Sequence, residues 1–511
     1  MPPVAPDPER TPVVVASGQG VERDELVTPV DLMVRACEAA LADAPLLRDR
    51  IDRLSVVDVM TKVGPAPATE LAGRLGLGPH VVREVTTVGG NTPQWLVNRA
   101  ASEIAAGNLT VTLIAGAEAI RSSRARRARG LPRDTGATDL APDPQVGDDR
   151  PGFGPAESAV ALLAPVHVYP LFENVLASRA GRDADTHRAA LGRLMAPFTE
   201  VAAHHPYAWF PEIRTAAEIA TPTPDNRIVC EPYTKRMTAF LGSDQSAALV
   251  VCSLAEARRA GVEDRAVFLW SGAEAVDVRA VSARPDPGRS PAIAAAGASL
   301  FASATGAAGR PVDIDDVDRM DLYSCFPSAV QMACEALGVA LDDHRGLTVT
   351  GGLPYFGGPG NNYTTHGIAS LCDALLEGDG PTTRLGLATG LGWFVTKHAL
   401  GLYATTPPPG GFRRGDTTAA QATIDASAVE VAASLETAEV ATVVAATVWR
   451  GSDGAAAGAP VLARLADGRR MALAAADNDV VAAMGDTDMP GLIGGSVVVQ
   501  AGEPRYRLAQ R

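Results

Sequence analysis

No apolar run in the 511-residue chain approaches the roughly 18 residues that a membrane-crossing helix needs, so no span is expected. The first residues, "MPPVAPDPERTPVVVASG", lack a basic stretch followed by an apolar one. The expectation is therefore a protein that is not secreted and works in the cytoplasm. Positive charge is also short. The net charge of −14 leaves no footprint for nucleic acid or an anionic membrane surface. Cysteines number only six (Cys37, Cys230, Cys252, Cys325, Cys334 and Cys372), and none stands at CxxC spacing, which predicts buried free thiols. The adjacent His204-His205 pair has no HExxH frame, so no metal site is expected. Aromatics supply 5% of residues, whereas Ala, Val and Gly are abundant. That balance suits close-packed α/β layers better than a β-sandwich.

What is present repeats itself. "PVDLMVRACEAALADA" from Pro29 is matched by "PAIAAAGASLFASATG" from Pro291, 262 residues on. "IDRLSVVDVM" from Ile51 is matched by "VDRMDLYSCF" from Val317, 266 residues on. "GGNTPQWLVNRAASEIAAG" from Gly89 is matched by "GGPGNNYTTHGIASLCDALLEG" from Gly357, 268 residues on. Each member of the last pair reads as a glycine turn, an Asn-rich cap and a helix ending near Gly. Buried strands follow, "TVTLIAGAEAI" and "TRLGLATGLG". Three matches in order at a nearly constant offset predict two α/β halves of like topology. The first half takes 1–120 and 236–262, the second 263–405, and an irregular excursion over 121–235 separates the parts of the first. "TPPPGGFRRGD" reads as a linker to an extra domain over 412–511. There "ATIDAS", "ATVVAATVWRG", "APVLARLADGRRMALAAA" and "GGSVVVQAGEPRYRLAQR" predict short strands, with a helical turn at "DNDVVAAMG".

Two duplicated halves with an excursion in the first resemble the thiolase superfamily. The resemblance covers about residues 10–405 and is carried by "VNRAASEIAAGNLTVTLIAGAEAI", "GSDQSAALVV", "YSCF" and "TGGLPYFGGPG". The Gly-Gly-Pro-Gly-Asn-Asn-Tyr run, Thr396–His398 and the extra domain are similar to the thiolase-like protein type 1 group. The resemblance implies a βαβαβαββ duplication in αβαβα layers, with an additional small β-rich α+β domain. By family it implies an acyltransferase of the acetyl-CoA acetyltransferase kind, in lipid metabolism. It also implies CoA or an acyl-CoA as ligand, no cofactor of another kind, and a monomer or homodimer.

The catalytic parts of that family are missing. Gln94 matches the glutamine of the family's Cys-x-Ser-Gly-x-Gln pattern, which puts Gly89 at the nucleophile. Thr86, Thr87 and Thr92 flank the turn, and Thr92 is expected to cap the helix ahead of Pro93. Gly358 stands for the histidine of Gly-His-Pro, "LATGLGWF" has no cysteine, and Tyr323 or Ser324 takes the position that holds an oxyanion-hole water. No thiolase turnover is expected, because such residues act as a unit. The turn residues Gly89, Gly90 and Asn91, with Gly357, Gly358, Asn361, Asn362 and His398, are the candidate ligand-binding set, since helix starts attract anions. Tyr363 and His366, three apart on one helix face, with Tyr323 and Cys325, are the candidate catalytic set for a retro-aldol lyase acting on a β-hydroxyacyl-CoA. A third reading is a non-catalytic scaffold whose extra domain binds a protein partner. Arg121, Arg124, Arg126, Arg127 and Arg129 either pair with CoA phosphates or with the acids of the following "DLAPDPQVGDD". Lys397 and His398 are read as the start of a final helix, "TKHALGLY".

Overall fold

The computed structural model describes residues 7–61, 63–132, 136–306, 309–377 and 383–509. The first six residues of the N-terminal half, positions 133–135 of the excursion, the helix end expected at Gly378 and the last two residues of the C-terminal domain lie outside them. The N-terminal half runs β1 (Pro12–Val21), α1 (Pro29–Asp43), β2 (Arg53–Val56), α2 (Pro67–Arg74), β3 (Val82–Thr86), α3 (Thr92–Ala106) and β4 (Val111–Ala119). The excursion carries α4 (Ile120–Ala128), α5 (Pro165–Arg179) and α6 (Ala184–His204) before β5 (Asp244–Ser253) closes the half. The C-terminal half runs β6 (Val267–Val276), α7 (Pro291–Ser303), β7 (Arg319–Asp321), α8 (Pro327–Leu337), α9 (Tyr363–Leu376), β8 (Leu385–Gly392) and β9 (Lys397–Ala404).

The strand orders repeat as the sequence predicts. The first sheet is β1-β5-β4-β2-β3 and the second β6-β9-β8-β7, joined where Val13 and Val14 pair with Phe268 and Val267. One strand of the duplication is lost. In place of a counterpart to β3, residues 347–350 form no strand, and only Leu322 N–H donating to the Leu347 carbonyl (2.9 Å) marks the pairing. Helices α3 and α9 pack between the sheets, with α1 and α2 outside the first and α7 and α8 outside the second. Strand residues therefore bury both faces: Val13 and Val15 point into the outer core, Val14 into the inner one. Such strands lose the alternation that marks a half-exposed strand. "TKHALGLY" is a case in point. It is not a helix but β9, hydrogen-bonded between β8 and β6. Helix starts follow their caps: Thr28 with Asp31 and Pro29 for α1, Ser290 with Pro291 for α7.

The extra domain is a closed barrel of β10 (Glu439–Ala446), β11 (Val461–Arg464), β12 (Arg470–Ala475), β13 (Ser496–Val499) and β14 (Arg505–Leu508), ordered β10-β11-β12-β14-β13. The helical turn expected at "DNDVVAAMG" is the helix Asn478–Gly485. "ATIDAS", by contrast, lies in a helix (Thr418–Ala426) that packs on α7. Inside the linker, Arg413 and Arg414 pair with Ser271 and Gly272 of β6. No helix of the described residues is long and apolar enough to cross a membrane.

Candidate functional site

Helices α3 and α9 both begin between the two sheets, and their first turns face each other. Asn91 is the N-cap residue of α3. Thr92 is not the cap. It is the first helical residue, and its hydroxyl donates to the Gly89 carbonyl (2.8 Å). From the other turn, Thr364 Oγ1 donates to the Gly90 carbonyl (2.8 Å), and the Gly89 N–H donates to Asn361 Oδ1 (3.0 Å). Asn361 Nδ2 in turn reaches the carbonyl and carboxylate of Asp58, both at 3.0 Å. Asn362, the N-cap of α9, donates to the Gly116 carbonyl (2.7 Å). A hydrogen-bond donor that a bound oxyanion would need at Gly89 is thus already engaged inside the protein.

The nucleophile's place is filled as well. Gly89 sits at φ +151°, a conformation that side-chain-bearing residues rarely adopt, and a Cβ built on it would lie 2.5 Å from Asn91 Oδ1 and 3.3 Å from Lys397 Nζ. A Cβ on Gly90 would lie 2.3 Å from the Tyr323 hydroxyl. Lys397 reaches the turn because it is the first residue of β9 and faces α3, where its ammonium donates to the carbonyls of Val88 (2.7 Å) and Asp148 (2.8 Å). Burial pulls its pKa down to about 8, against the attraction of Asp148. Sequence reasoning read Lys397 only as a possible helix cap. The available signal was a lysine, with Thr396 and His398 beside it, set between the apolar runs "GWFV" and "ALGLY".

The other predicted residues are placed as follows. His398 points to the opposite face of β9 from Lys397, where Nε2 lies 3.2 Å from Asp277 Oδ2 and 3.4 Å from Ser290 Oγ, beneath the start of α7. Asp277 also accepts from the Ala292 N–H (3.0 Å), which makes the cluster a helix cap. Tyr323 reaches Gly90, but Cys325 turns away beside Tyr169, and burial pushes its thiol up to about 12. Tyr363 and His366 do share a helix face, both packed on Phe356. Both are fully buried. The Tyr363 hydroxyl is 2.6 Å from Thr350 Oγ1, and burial raises its pKa. His366 Nδ1 is 2.8 Å from Gln19 Oε1, and burial with His205 nearby pushes its pKa down to about 3. A neutral imidazole bonded to a glutamine does not act as an acid near neutral pH. Gly357 lies against the Gln245 side chain, and the Gly358 N–H donates to the Phe240 carbonyl (2.8 Å).

Open space lies outside this packed centre. Beside Tyr323 and His398 there is only a void of about 10 Å³. Next to Phe240, a cavity of about 430 Å³ is lined by Arg124, Arg214, Lys235 and Arg236, with Phe210 and Tyr355 as aromatic walls. A second cavity, of about 610 Å³, shares Arg124 and Leu241 with it and runs along α4. Arg121 is held by Asp244 (3.1 Å). Among the described residues no carboxylate pairs with Arg124 or Arg127, and two of the acids that follow are engaged elsewhere: Asp143 at the start of α2, Asp148 on Arg150 and Arg279.

No protein-family model matches the chain, and no curated protein sequence matches it. Solved structures do. A monomeric SCP2-thiolase-like protein type 1 from Mycobacterium smegmatis is 30% identical with a TM-score of 0.81, over 98% of this chain and 99% of that one. An Ltp2-ChsH2(DUF35) aldolase (19% identity, TM-score 0.57, 77% of this chain and 98% of that one) shares the fold. So does an acetyl-CoA acetyltransferase from Syntrophomonas wolfei, at 15% identity and TM-score 0.54, covering 78% and 99%. With the duplicated halves, the glycine at the nucleophile position and the appended barrel all in place, the chain belongs to the SCP2-thiolase-like protein type 1 family.

Proposed function

We propose that the protein binds CoA thioesters and does not turn them over as a thiolase. The observation that carries this reading is the pairing of a filled centre with an open, cationic cavity. At Gly89 there is no nucleophile, and the Lys397 ammonium stands beside the place a nucleophilic side chain would enter. Claisen chemistry has no acyl acceptor there. The 430 Å³ cavity, in contrast, offers four cationic side chains against one carboxylate, Asp225, with aromatic walls, a balance that suits the phosphates and purine of a CoA nucleotide. A lyase built on Tyr363 and His366 has no comparable support, because both side chains are sealed from solvent, Tyr363 on Thr350 and His366 with Nδ1 on Gln19 and only Nε2 left over.

The relative from M. smegmatis is described as monomeric. The outer edge of β3 here is covered by a two-residue strand, Gln145–Val146, which pairs with Val85 and Thr86. Covering that edge removes one template for association, which supports a monomer. Titration calorimetry with CoA, alongside an assay of acetoacetyl-CoA plus CoA, tests the reading. Binding with no acetyl-CoA formed is expected, and rapid formation of two acetyl-CoA sinks it. Release of an aldehyde or ketone from a β-hydroxyacyl-CoA, abolished by His366→Ala, would instead favour the lyase.

A further inference from the structure

The 610 Å³ cavity along α4 falls in the roughly 300–1,000 Å³ range of small-molecule sites. Its wall is apolar where Val27, Ala119, Ile120, Met60, Leu131 and Leu241 meet. Three of these, Met60 (54%), Leu131 (43%) and Leu241 (36%), are large apolar side chains left exposed around one opening. A cluster of that kind marks a binding surface. At the same opening stand Arg124 and Arg127, which have no ion-pair partner among the described residues. No cysteine or histidine lines the cavity.

The cavity is separate from the packed centre. Glu118, fully buried, accepts from the N–H groups of Met60 (2.6 Å) and Thr61 (2.9 Å) and the Thr61 hydroxyl (2.6 Å), closing the floor. Behind it, Asn361 bridges Asp58 to Gly89. A ligand lodged here does not reach the Gly89 turn unless that wall opens.

We propose that this cavity is an acyl-chain site, which takes the hydrocarbon tail of a long-chain acyl thioester whose anionic head lies in the adjoining basic cavity, across Arg124 and Leu241. The proposal rests on the CoA-thioester reading for the identity of the head and on the apolar lining and its cationic mouth for the tail. It makes the protein a holder of long acyl chains, with the chain stored away from the old catalytic turn. Each methylene taken from water strengthens binding roughly fourfold, so a tail that fills the cavity dominates the affinity.

Equilibrium dialysis of the full-length protein tests this with three probes: CoA, palmitoyl-CoA and palmitate, the last two below their micelle concentrations. Met60→Glu and Leu131→Glu place a carboxylate in the cavity at exposed positions, where folding is undisturbed and circular dichroism verifies it. The expected result is palmitoyl-CoA bound at least roughly 100-fold more tightly than CoA. Both variants should lose most of that margin while their CoA affinity stays at the wild-type value. Equal affinity for CoA and palmitoyl-CoA, or a margin that survives both variants, overturns the tail site and leaves the CoA reading standing. Palmitate binding that both variants abolish, with no CoA binding at all, upholds the tail site and sinks only the CoA reading. A dimer that Met60→Glu dissolves, with no palmitate bound, shows the face to be an interface between copies and overturns the proposal.

Discussion

At Gly89 the backbone is committed to a conformation that few side chains tolerate. Gly89→Cys puts a side chain at φ +151° and its Cβ 2.5 Å from Asn91 Oδ1 and 3.2 Å from Lys397 Cε. Strain of this kind costs about 1–3 kcal/mol. The expected outcome is a lower denaturation midpoint and no thiolysis, since a thiol beside an ammonium still lacks the histidine and second cysteine that move protons. Gly90→Ala meets a harder obstacle. Its Cβ would lie 2.3 Å from the Tyr323 hydroxyl and 2.6 Å from the Leu391 carbonyl. Adding Tyr323→Phe removes the hydroxyl contact but leaves the ring Cζ at 2.8 Å and the Leu391 carbonyl, so the double variant should recover only part of the lost stability. Glu118 supplies a pH dependence. Burial lifts its pKa from 4.5 to about 7, with the hydrogen bonds from Thr61 and Met60 opposing. The folded state therefore holds the proton more tightly than the unfolded chain. Its contribution is full below pH 4.5 and fades as pH rises through 7, on the order of 3 kcal/mol in all. Thermal melts from pH 5 to 8 should show that fall, and Glu118→Gln should flatten it.

At the scale of elements, the short strand Gln145–Val146 is held in place on either side. Before it, Asp143 caps α2, accepting from the N–H groups of Ala68 (2.7 Å) and Thr69 (3.3 Å) and from the Thr69 hydroxyl (2.6 Å). After it, the Asp148 carbonyl is tied by Lys397 (2.8 Å). Asp143→Ala should cost about 1–2 kcal/mol and speed amide exchange in 145–146 and in the first turn of α2. Unchanged exchange there would mean that the strand pairs with β3 without help from the cap. These long-range ties also mark where the sequence stopped being legible. Helices α1 and α7 were readable from the cap and first-turn Pro that each carries, α3 from its Pro and closing Gly107, and α9 and the strands β2, β4, β7 and β8 from the spacing that repeats between the halves. The run "TKHALGLY" misled, because a strand buried on both faces shows no alternation of apolar and polar residues to set it apart from a buried helix. "ATIDAS" misled in the other direction: β-branched residues suggested a strand, while packing on α7 makes it helical. The glycines of the Gly89 turn were visible in the sequence. The filling of that turn was not, since Lys397, Tyr323 and Asn361 arrive at it from positions more than 200 residues away in sequence, Lys397 from a strand and the other two from the connections that follow β7 and precede α9.

For the molecule as a whole, the question is whether the C-terminal barrel is an appended module or part of one cooperative unit. Its own core is distinct, with Val443, Ala463, Met471, Leu473 and Tyr506 inside. Yet Ala445, Leu462 and Ala472 point outward into the main core of the thiolase-like body. Polar ties cross the same boundary. Asn174 of α5, fully buried, donates to the carbonyls of Glu231 (3.0 Å) and Ala446 (2.9 Å), and Thr447 Oγ1 donates to the Glu231 carbonyl (2.9 Å). Trp449 pairs in a strand with Cys230 and stacks on His167 at 4.2 Å, while Arg450 pairs with the Glu231 carboxylate (2.9 Å). A barrel bound by a shared core and a shared sheet should not melt alone, so calorimetry of the full chain is expected to show one transition in which barrel amides lose protection together with those of α5 and α6. Asn174→Ala leaves the Ala446 carbonyl without that donor, whereas the Glu231 carbonyl keeps Thr447. The cost should be about 1–3 kcal/mol, and it should appear as barrel amides exchanging ahead of the rest. If the wild-type protein already melts in two separate steps, with the barrel first, the crossing contacts are too weak to couple the domains and the barrel is an independent module.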